Sequence, residues 1–172
     1  MSAGLNLLHC RVWRLGADVD TDVLAPGAYM KHGLDIIAAH CLESMRPEFA
    51  SQVKPGDVVV AGPNFGIGSS REQAASALRH LGIAAVIAPS FGGLFFRNAF
   101  NLGLPLLVCP QAETIQEADR ITVHAQANAC WIELADHTQL PAQAIPDFLL
   151  DMVHAGGLMN LLKQRRQGGA HA

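Results

Sequence analysis

Closely spaced cysteines are missing from this chain. Cys10, Cys41, Cys109 and Cys130 stand far apart, with no Cys-x-x-Cys among them. No zinc or iron–sulfur site built within the chain is therefore expected, nor a disulfide scaffold. The expectation is reduced, mostly buried thiols in a cytoplasmic protein. Charge is also sparse, at 16% of residues with a net −3. No basic stripe with interleaved aromatics occurs, so nucleic acid is not an expected partner. The short cluster Lys163, Arg165 and Arg166 reads as a solvated helix end. No apolar run approaches the ~20 residues that span a bilayer. Met1 to Leu8 lacks the basic start and long apolar stretch of a signal peptide, so none is expected.

What is present is a globular composition. Half of the 172 residues are apolar, enough for one domain with a real core. The expected domain is residues 1–172, with a frayed tail at 165–172. Strands are predicted at Leu7–Leu15, Val58–Ala61, Ala84–Ala88 and Leu104–Cys109. Helices are predicted at Leu34–Cys41, Gln73–Leu81 and Phe91–Leu102, with a short turn near Pro47. Ala74, Ala77, Leu78 and Leu81 supply the helical apolar spacing, and Gly82 a C-cap. This alternation implies an α/β fold with parallel strands and right-handed crossovers. Ile121–His124 and Cys130–Leu134 read as antiparallel additions, and Asp147–Val153 and Leu158–Lys163 as terminal helices. Gly16 to Gly33 reads as a long loop, and loops of that length are commonly functional.

The most informative stretch runs from Ala61 to Glu72, Ala-Gly-Pro-Asn-Phe-Gly-Ile-Gly-Ser-Ser-Arg-Glu. It joins an apolar strand to a helix. A Gly-rich turn at that point gathers backbone N–H groups and the positive end of a helix dipole. Gly66 and Gly68 permit φ > 0 and close ligand approach. Arg71 has a planar fork suited to a carboxylate, and a serine hydroxyl there is placed for chemistry if neighbours activate it. Two readings compete. Ser69-x-x-Glu72 is a capping box, and Ser70-x-x-Gln73 the same pattern one residue later. If Ser70 is the cap, Ser69 is free to face the loop. The glycine spacing fits neither GxGxxG nor a phosphate loop.

A second cluster is Asp18-Val19-Asp20-Thr21-Asp22. Its alternate carboxylates resemble the start of an EF-hand, but the glycine at position six and the closing glutamate are absent, so no calcium site is expected. The plainer reading is Asx turns at a strand end. Tyr29-Met30-Lys31-His32 brings a phenol, a cation and an imidazole into the same loop. The other histidines lack ligand spacing, and no metal ligands are assigned.

Taken together, Asp20-Thr21-Asp22, the string from Gly62 to Glu72, Ser90-Phe91, Arg97-Asn98-Ala99 and Gly103-Leu104-Pro105 resemble the swivelling β/β/α domain of the aconitase superfamily. Within it the chain is similar to the stand-alone small subunits of 3-isopropylmalate dehydratase, and the likeness extends to Ala155-Gly156-Gly157-Leu158. The resemblance implies a mostly parallel central sheet flanked by helices. It implies a hydro-lyase that shifts a hydroxyl between adjacent carbons of a small hydroxy-diacid, in leucine biosynthesis. A large subunit would complete the heterodimer or heterotetramer and carry a [4Fe–4S] cluster acting as Lewis acid. By the same resemblance Ser69 is the base, Arg71 clamps a carboxylate and Asp22 occupies an acidic active-site position. Ser70 and Gly68 bind substrate, and Lys31 and His32 sit in the specificity loop. This chain alone should be inert.

The chain departs from that pattern at Ile67 (Cys), Gln73 (His), Ala75 (Pro) and Gly92-Gly93 (Ala-Arg). An apolar residue at Lys31 would suit an isopropyl group; a cation suits a distal carboxylate, which is costly to bury unpaired. 3-Isopropylmalate is the leading substrate. Homoaconitate, citraconate and dimethylmaleate are the alternatives, as is a non-catalytic carboxylate-binding subunit.

Overall fold

A computed structural model describes residues 3–169. Seven strands form one sheet in the order β4-β3-β2-β1-β5-β6-β7. They are β1 Leu5–Arg14, β2 Val58–Val60, β3 Ala85–Ala88, β4 Leu106–Val108, β5 Arg120–Ala125, β6 Cys130–Glu133 and β7 Gln139–Ala142. The helices are α1 Thr21–Leu24, α2 Leu34–Ala39, α3 Phe49–Gln52, α4 Glu72–His80, α5 Gly93–Asn101, α6 Asp147–Ala155 and α7 Leu158–Gly169.

The sheet has two halves that meet in β1. The C-terminal part of β1 pairs in parallel with β2, Val12 opposite Val58, and β2, β3 and β4 continue in parallel. The N-terminal part pairs antiparallel with β5, and β6 and β7 follow in the same sense. The register slips between Leu7 and Cys10, where His9 has φ 51°. This is the extra residue of a bulge. Every residue of β2 and β3 is buried, as continuous apolar runs in a parallel sheet should be. β5 alternates, with Ile121, Val123 and Ala125 inward, the pattern of a sheet covered on one side.

Because β2, β3 and β4 step across the sheet in one direction, right-handed crossovers put α4 and α5 on the same face, and the two helices pack together. α4 buries Ala74, Ala75, Ala77 and Leu78; α5 buries Phe95, Ala99 and Phe100. Phe95 meets Phe65 edge-on at 5.4 Å. Each such fully buried large side chain contributes about 1.5–3 kcal/mol.

A buried carboxylate fastens the parallel half. Oδ2 of Asp57 accepts from Arg11 Nε (3.0 Å) and Nη2 (2.8 Å), Trp13 Nε1 (2.9 Å) and the Lys54 backbone N–H (2.9 Å). Burial alone would raise its pKa; the Lys54, Trp13 and Arg11 donors outweigh that and hold it below the ordinary carboxylate value. Trp13 also packs edge-on against Phe49.

The structure corrects several sequence expectations. The Gly16–Gly33 loop contains α1 and a 3-10 turn, Gly27–Tyr29. α1 was hidden because it is one turn long, capped by Asp20 accepting from Val23 N–H. The turn near Pro47 leads into α3. β7 was missed because Pro141 argues against a strand; it is tolerated at the sheet edge. The last helix continues to Gly169, so 165–169 are helical, and 170–172 lie outside the described residues. All four cysteines are buried and free. Among the described residues no helix is long and apolar enough to cross a membrane, and no cluster of three or more His, Cys, Asp or Glu is placed to hold a metal ion.

Candidate active site

Three loops leave the C-terminal ends of β1, β2 and β3 and stay in register beyond the strands. Asp20 bridges Ile67, and Phe65 bridges Phe91, both in parallel. Gly66 N–H donates to Val19 O (2.7 Å), Thr21 N–H to Ile67 O (2.9 Å), Phe65 N–H to Ser90 O (3.1 Å) and Gly92 N–H to Phe65 O (2.8 Å). The middle loop therefore inherits rigidity from its neighbours. Its location, beyond the carboxyl ends of parallel strands, is where ligands bind in such sheets.

Left-handed backbone recurs at alternate positions: Asn64 (φ 63°), Gly66 (78°) and Gly68 (102°). Asn64 tolerates this because its polar groups are engaged. Its N–H donates to Ser90 Oγ (2.8 Å) and its Nδ2 to Asp18 Oδ1 (2.9 Å). Gly66 has no alternative, since a Cβ would lie 2.3 Å from the Phe95 ring. Gly92 is likewise forced: a Cβ would lie 2.5 Å from Gly66 O. Its departure from the resembled pattern is thus a packing fact of this chain. Gly93, by contrast, faces open space.

Neither serine caps α4. The N-cap is Arg71, with no side-chain cap bond, so both capping-box registers fail. The chain stays extended at Arg71 (φ −65°, ψ 110°) because the serines are held elsewhere. Ser69 O accepts from Thr21 Oγ1 (3.1 Å), and the two hydroxyls lie 3.3 Å apart. Ser70 O accepts from Asn98 Nδ2 (3.4 Å). Gly68, Ser69 and Ser70 are exposed.

Arg71 and Asp22 form a pair. Nη1 of Arg71 donates to Asp22 Oδ1 at 2.5 Å and to Ala25 O at 3.2 Å. Gly27 N–H donates to the same carboxylate oxygen (3.0 Å). The Arg71 bond first, then the Gly27 N–H, hold Asp22 below its ordinary pKa. Nη2 and Nε of Arg71 have no hydrogen-bond partner among the described residues, which leaves half of the fork available to an anion.

The sequence-predicted residues thus separate into two groups. Ser69, Ser70, Gly68, Arg71 and Asp22 are brought together. Lys31 is exposed and makes no hydrogen bond or ion pair among the described residues. His32 lines an adjoining cleft of about 260 Å³ with Met30, Leu34, Ile37, Glu72, Gln73 and Ser76. Tyr29 anchors that segment by stacking on His40 at 3.7 Å, whose Nδ1 lies 2.5 Å from Glu43. Sequence reasoning missed Thr21 and Asn98 as side chains that hold the serine loop. The Asp-Thr-Asp and Arg-Asn-Ala strings contain them, and their roles arise from contacts between segments distant in the chain.

Residues 42–112 match the Aconitase C-terminal domain family. Across 90% of this chain and 90% of the relative, the sequence is 42% identical to the methanogen homoaconitase small subunit of Methanothermobacter thermautotrophicus. It is also 42% identical to 3-isopropylmalate dehydratase small subunit 1 of Archaeoglobus fulgidus, over 91% of this chain and 98% of the relative. The crystal structure of 3-isopropylmalate dehydratase from Methanocaldococcus jannaschii superposes with a TM-score of 0.87 at 35% identity, covering 97% of this chain and 99% of that one.

Proposed function

Because the chain belongs to the small-subunit family of 3-isopropylmalate dehydratase and its aconitase-superfamily relatives, we propose that it is the small subunit of a cytoplasmic hydro-lyase interconverting 2- and 3-isopropylmalate in leucine biosynthesis. The observation that carries the reading is the Arg71 fork, half engaged by Asp22 and Ala25 O, on the same exposed turn as Ser69. Arg71 receives a substrate carboxylate on Nη2 and Nε. Asp22 fixes the guanidinium and keeps it from following the ligand. Ser69 takes the carbon-bound proton through its alkoxide form, a role that needs nearby donors because a free serine is far too weak a base. Ser70 and the N–H groups of the turn hold a carboxylate, with Gly68 allowing close approach.

The four thiols of this chain are buried and, among the described residues, no three His, Cys, Asp or Glu side chains converge, so its residues do not fit an iron–sulfur cluster. The cluster belongs to a large subunit, where it supplies Lewis-acid assistance to departure of the hydroxyl.

The cleft beside His32 supports the isopropyl substrate. Met30, Leu34 and Ile37 offer apolar surface, and the Glu72 carboxylate in the same lining opposes a distal carboxylate. The second reading, homoaconitate, is favoured by Lys31 and by the equal identity to a homoaconitase small subunit.

The test is anaerobic reconstitution with the cognate large subunit, following unsaturated-acid absorbance with isopropylmalate, homocitrate, citramalate and dimethylmalate. Isopropylmalate should turn over fastest, and Lys31→Ala should leave that rate within about threefold, since an isopropyl group offers the ammonium no charge to pair with. Preference for homocitrate, lost in Lys31→Ala, would move the substrate to the longer diacid. Ser69→Ala should lower kcat about a thousandfold, within the range for a general base. Arg71→Lys should lower kcat/KM about a hundredfold through loss of the fork. Full activity in either variant would overturn the roles assigned.

A further inference from the structure

We propose that Thr21 and Asn98 are positioning residues that aim the N–H groups of Ser70 and Arg71 into the site by holding the carbonyls of Ser69 and Ser70. The proposal rests on the reading of Ser69 as the base and deepens it.

A trans peptide is planar, with its C=O and the following N–H pointing in opposite directions. Among the described residues no peptide bond is cis. Fixing the Ser69 carbonyl therefore fixes the Ser70 N–H, and fixing the Ser70 carbonyl fixes the Arg71 N–H. Thr21 Oγ1 does the first at 3.1 Å and Asn98 Nδ2 the second at 3.4 Å. Thr21 is only 2% exposed, and Asn98 is half-buried on α5. Both carbonyls thus turn toward the body of the protein. The N–H groups of Ser70 and Arg71 turn the other way, and among the described residues neither donates to a backbone carbonyl. Two adjacent donors beside a hydroxyl are what an alkoxide or a bound carboxylate requires.

Thr21 holds the base as well as the backbone. A hydroxyl carries one proton. Given to Ser69 O, that proton leaves a lone pair on Thr21 Oγ1 facing Ser69 Oγ at 3.3 Å. The neutral serine is then held with its own proton toward Thr21. The two tethers arrive from different directions. Thr21 opens α1 in the loop after β1, and Asn98 comes from the middle of α5. The serine turn is consequently braced on both sides, with no contribution from α4, whose N-cap carries no side-chain bond.

The test uses the enzyme reconstituted with its large subunit, assayed on 3-isopropylmalate, or on homoaconitate if that is the better substrate. Thr21→Val and Asn98→Leu remove the donors at nearly constant volume; Thr21→Ser keeps the hydroxyl. Thr21→Val and Asn98→Leu should each lower kcat/KM about 30–100-fold, the scale of a misaimed donor. Thr21→Ser should recover to within about threefold of wild type. Melting temperature and affinity for the large subunit should stay near wild type, which separates aim from fold. Equal losses in Thr21→Val and Thr21→Ser would overturn the role of the hydroxyl. Wild-type kinetics in Thr21→Val and Asn98→Leu, alongside an inactive Ser69→Ala, would sink the positioning role and leave the base assignment standing. An active Ser69→Ala would remove the premise, and the proposal with it. Should Thr21→Val fail to fold, Asn98→Leu decides alone, with wild-type kinetics overturning the proposal.

Discussion

Single oxygens organise this molecule at the residue scale. Oδ1 of Asp22 receives both Arg71 and the Gly27 N–H. Oδ2 of Asp57 receives four donors from three residues. Asp57 is 5% exposed, so Asp57→Ala leaves the Trp13 indole and the Lys54 N–H unpaired and should cost about 3 kcal/mol. Its folded pKa is depressed. Such a group contributes stability above its unfolded pKa of about 3.9, and that contribution disappears as pH falls through the lower, folded value. Urea unfolding between pH 3 and 7 should therefore show a shallower acid loss in Asp57→Ala than in wild type. Identical pH dependence would show that the carboxylate is not the acid-sensitive group. None of this was legible from Asp57 in the sequence, where Lys-Pro-Gly-Asp reads simply as a turn. Arg11 and Trp13 are more than forty positions away in the chain, so only the register of β1 on β2 reveals the connection.

At the scale of elements, the glycine loop and the start of α5 are fitted against each other. A Cβ on Gly66 would strike Phe95 and one on Gly92 would strike Gly66 O, whereas one on Gly93 meets nothing. Gly66→Ala also has to hold φ 78°. It should lose about 3 kcal/mol through overpacking and backbone strain together, with activity falling as the turn shifts. Gly93→Arg, which restores the cation of the resembled pattern, should fold within about 0.5 kcal/mol of wild type. Thermal melts of the two variants check both statements, and a destabilised Gly93→Arg would contradict the open space. The elements show why some of the fold was readable and some was not. β2, β3, α4 and α5 announce themselves through unbroken apolar runs or helical spacing, so their positions emerge within a residue or two. α1 and β7 do not, one being a single capped turn and the other an edge strand carrying proline. At the site, Ser69 and Arg71 stood out as residue types in a recognisable string. The identity of α4's N-cap did not, because the serines satisfy partners outside the helix, and a local pattern cannot register that competition.

For the whole molecule, exposure of Gly68, Ser69 and Ser70 means that the site has one wall. On the proposed function a large subunit supplies the other, and the chain alone should show no turnover with any acid in the panel. The segment Gly16–Gly33 borders the open side and carries Asp22 and Lys31. Limited proteolysis should cut there in the isolated chain and be suppressed when the large subunit is added; equal cleavage in both would place the interface elsewhere. A last consequence follows from β1, the strand shared by the two halves of the sheet. Its antiparallel partner begins at Arg120, and Leu5 lies opposite Ala125. During synthesis the first strand therefore waits for more than a hundred residues before its second edge is covered. β5, β6 and β7 can close on one another as neighbouring hairpins, but the β1–β5 pairing carries the long loop-closure cost of non-local contacts. Until then Leu5 and Leu7 lie on an open edge, the kind of surface that invites pairing with another chain. The junction that unifies the native sheet is thus also the strand pairing with the longest stretch of chain to close.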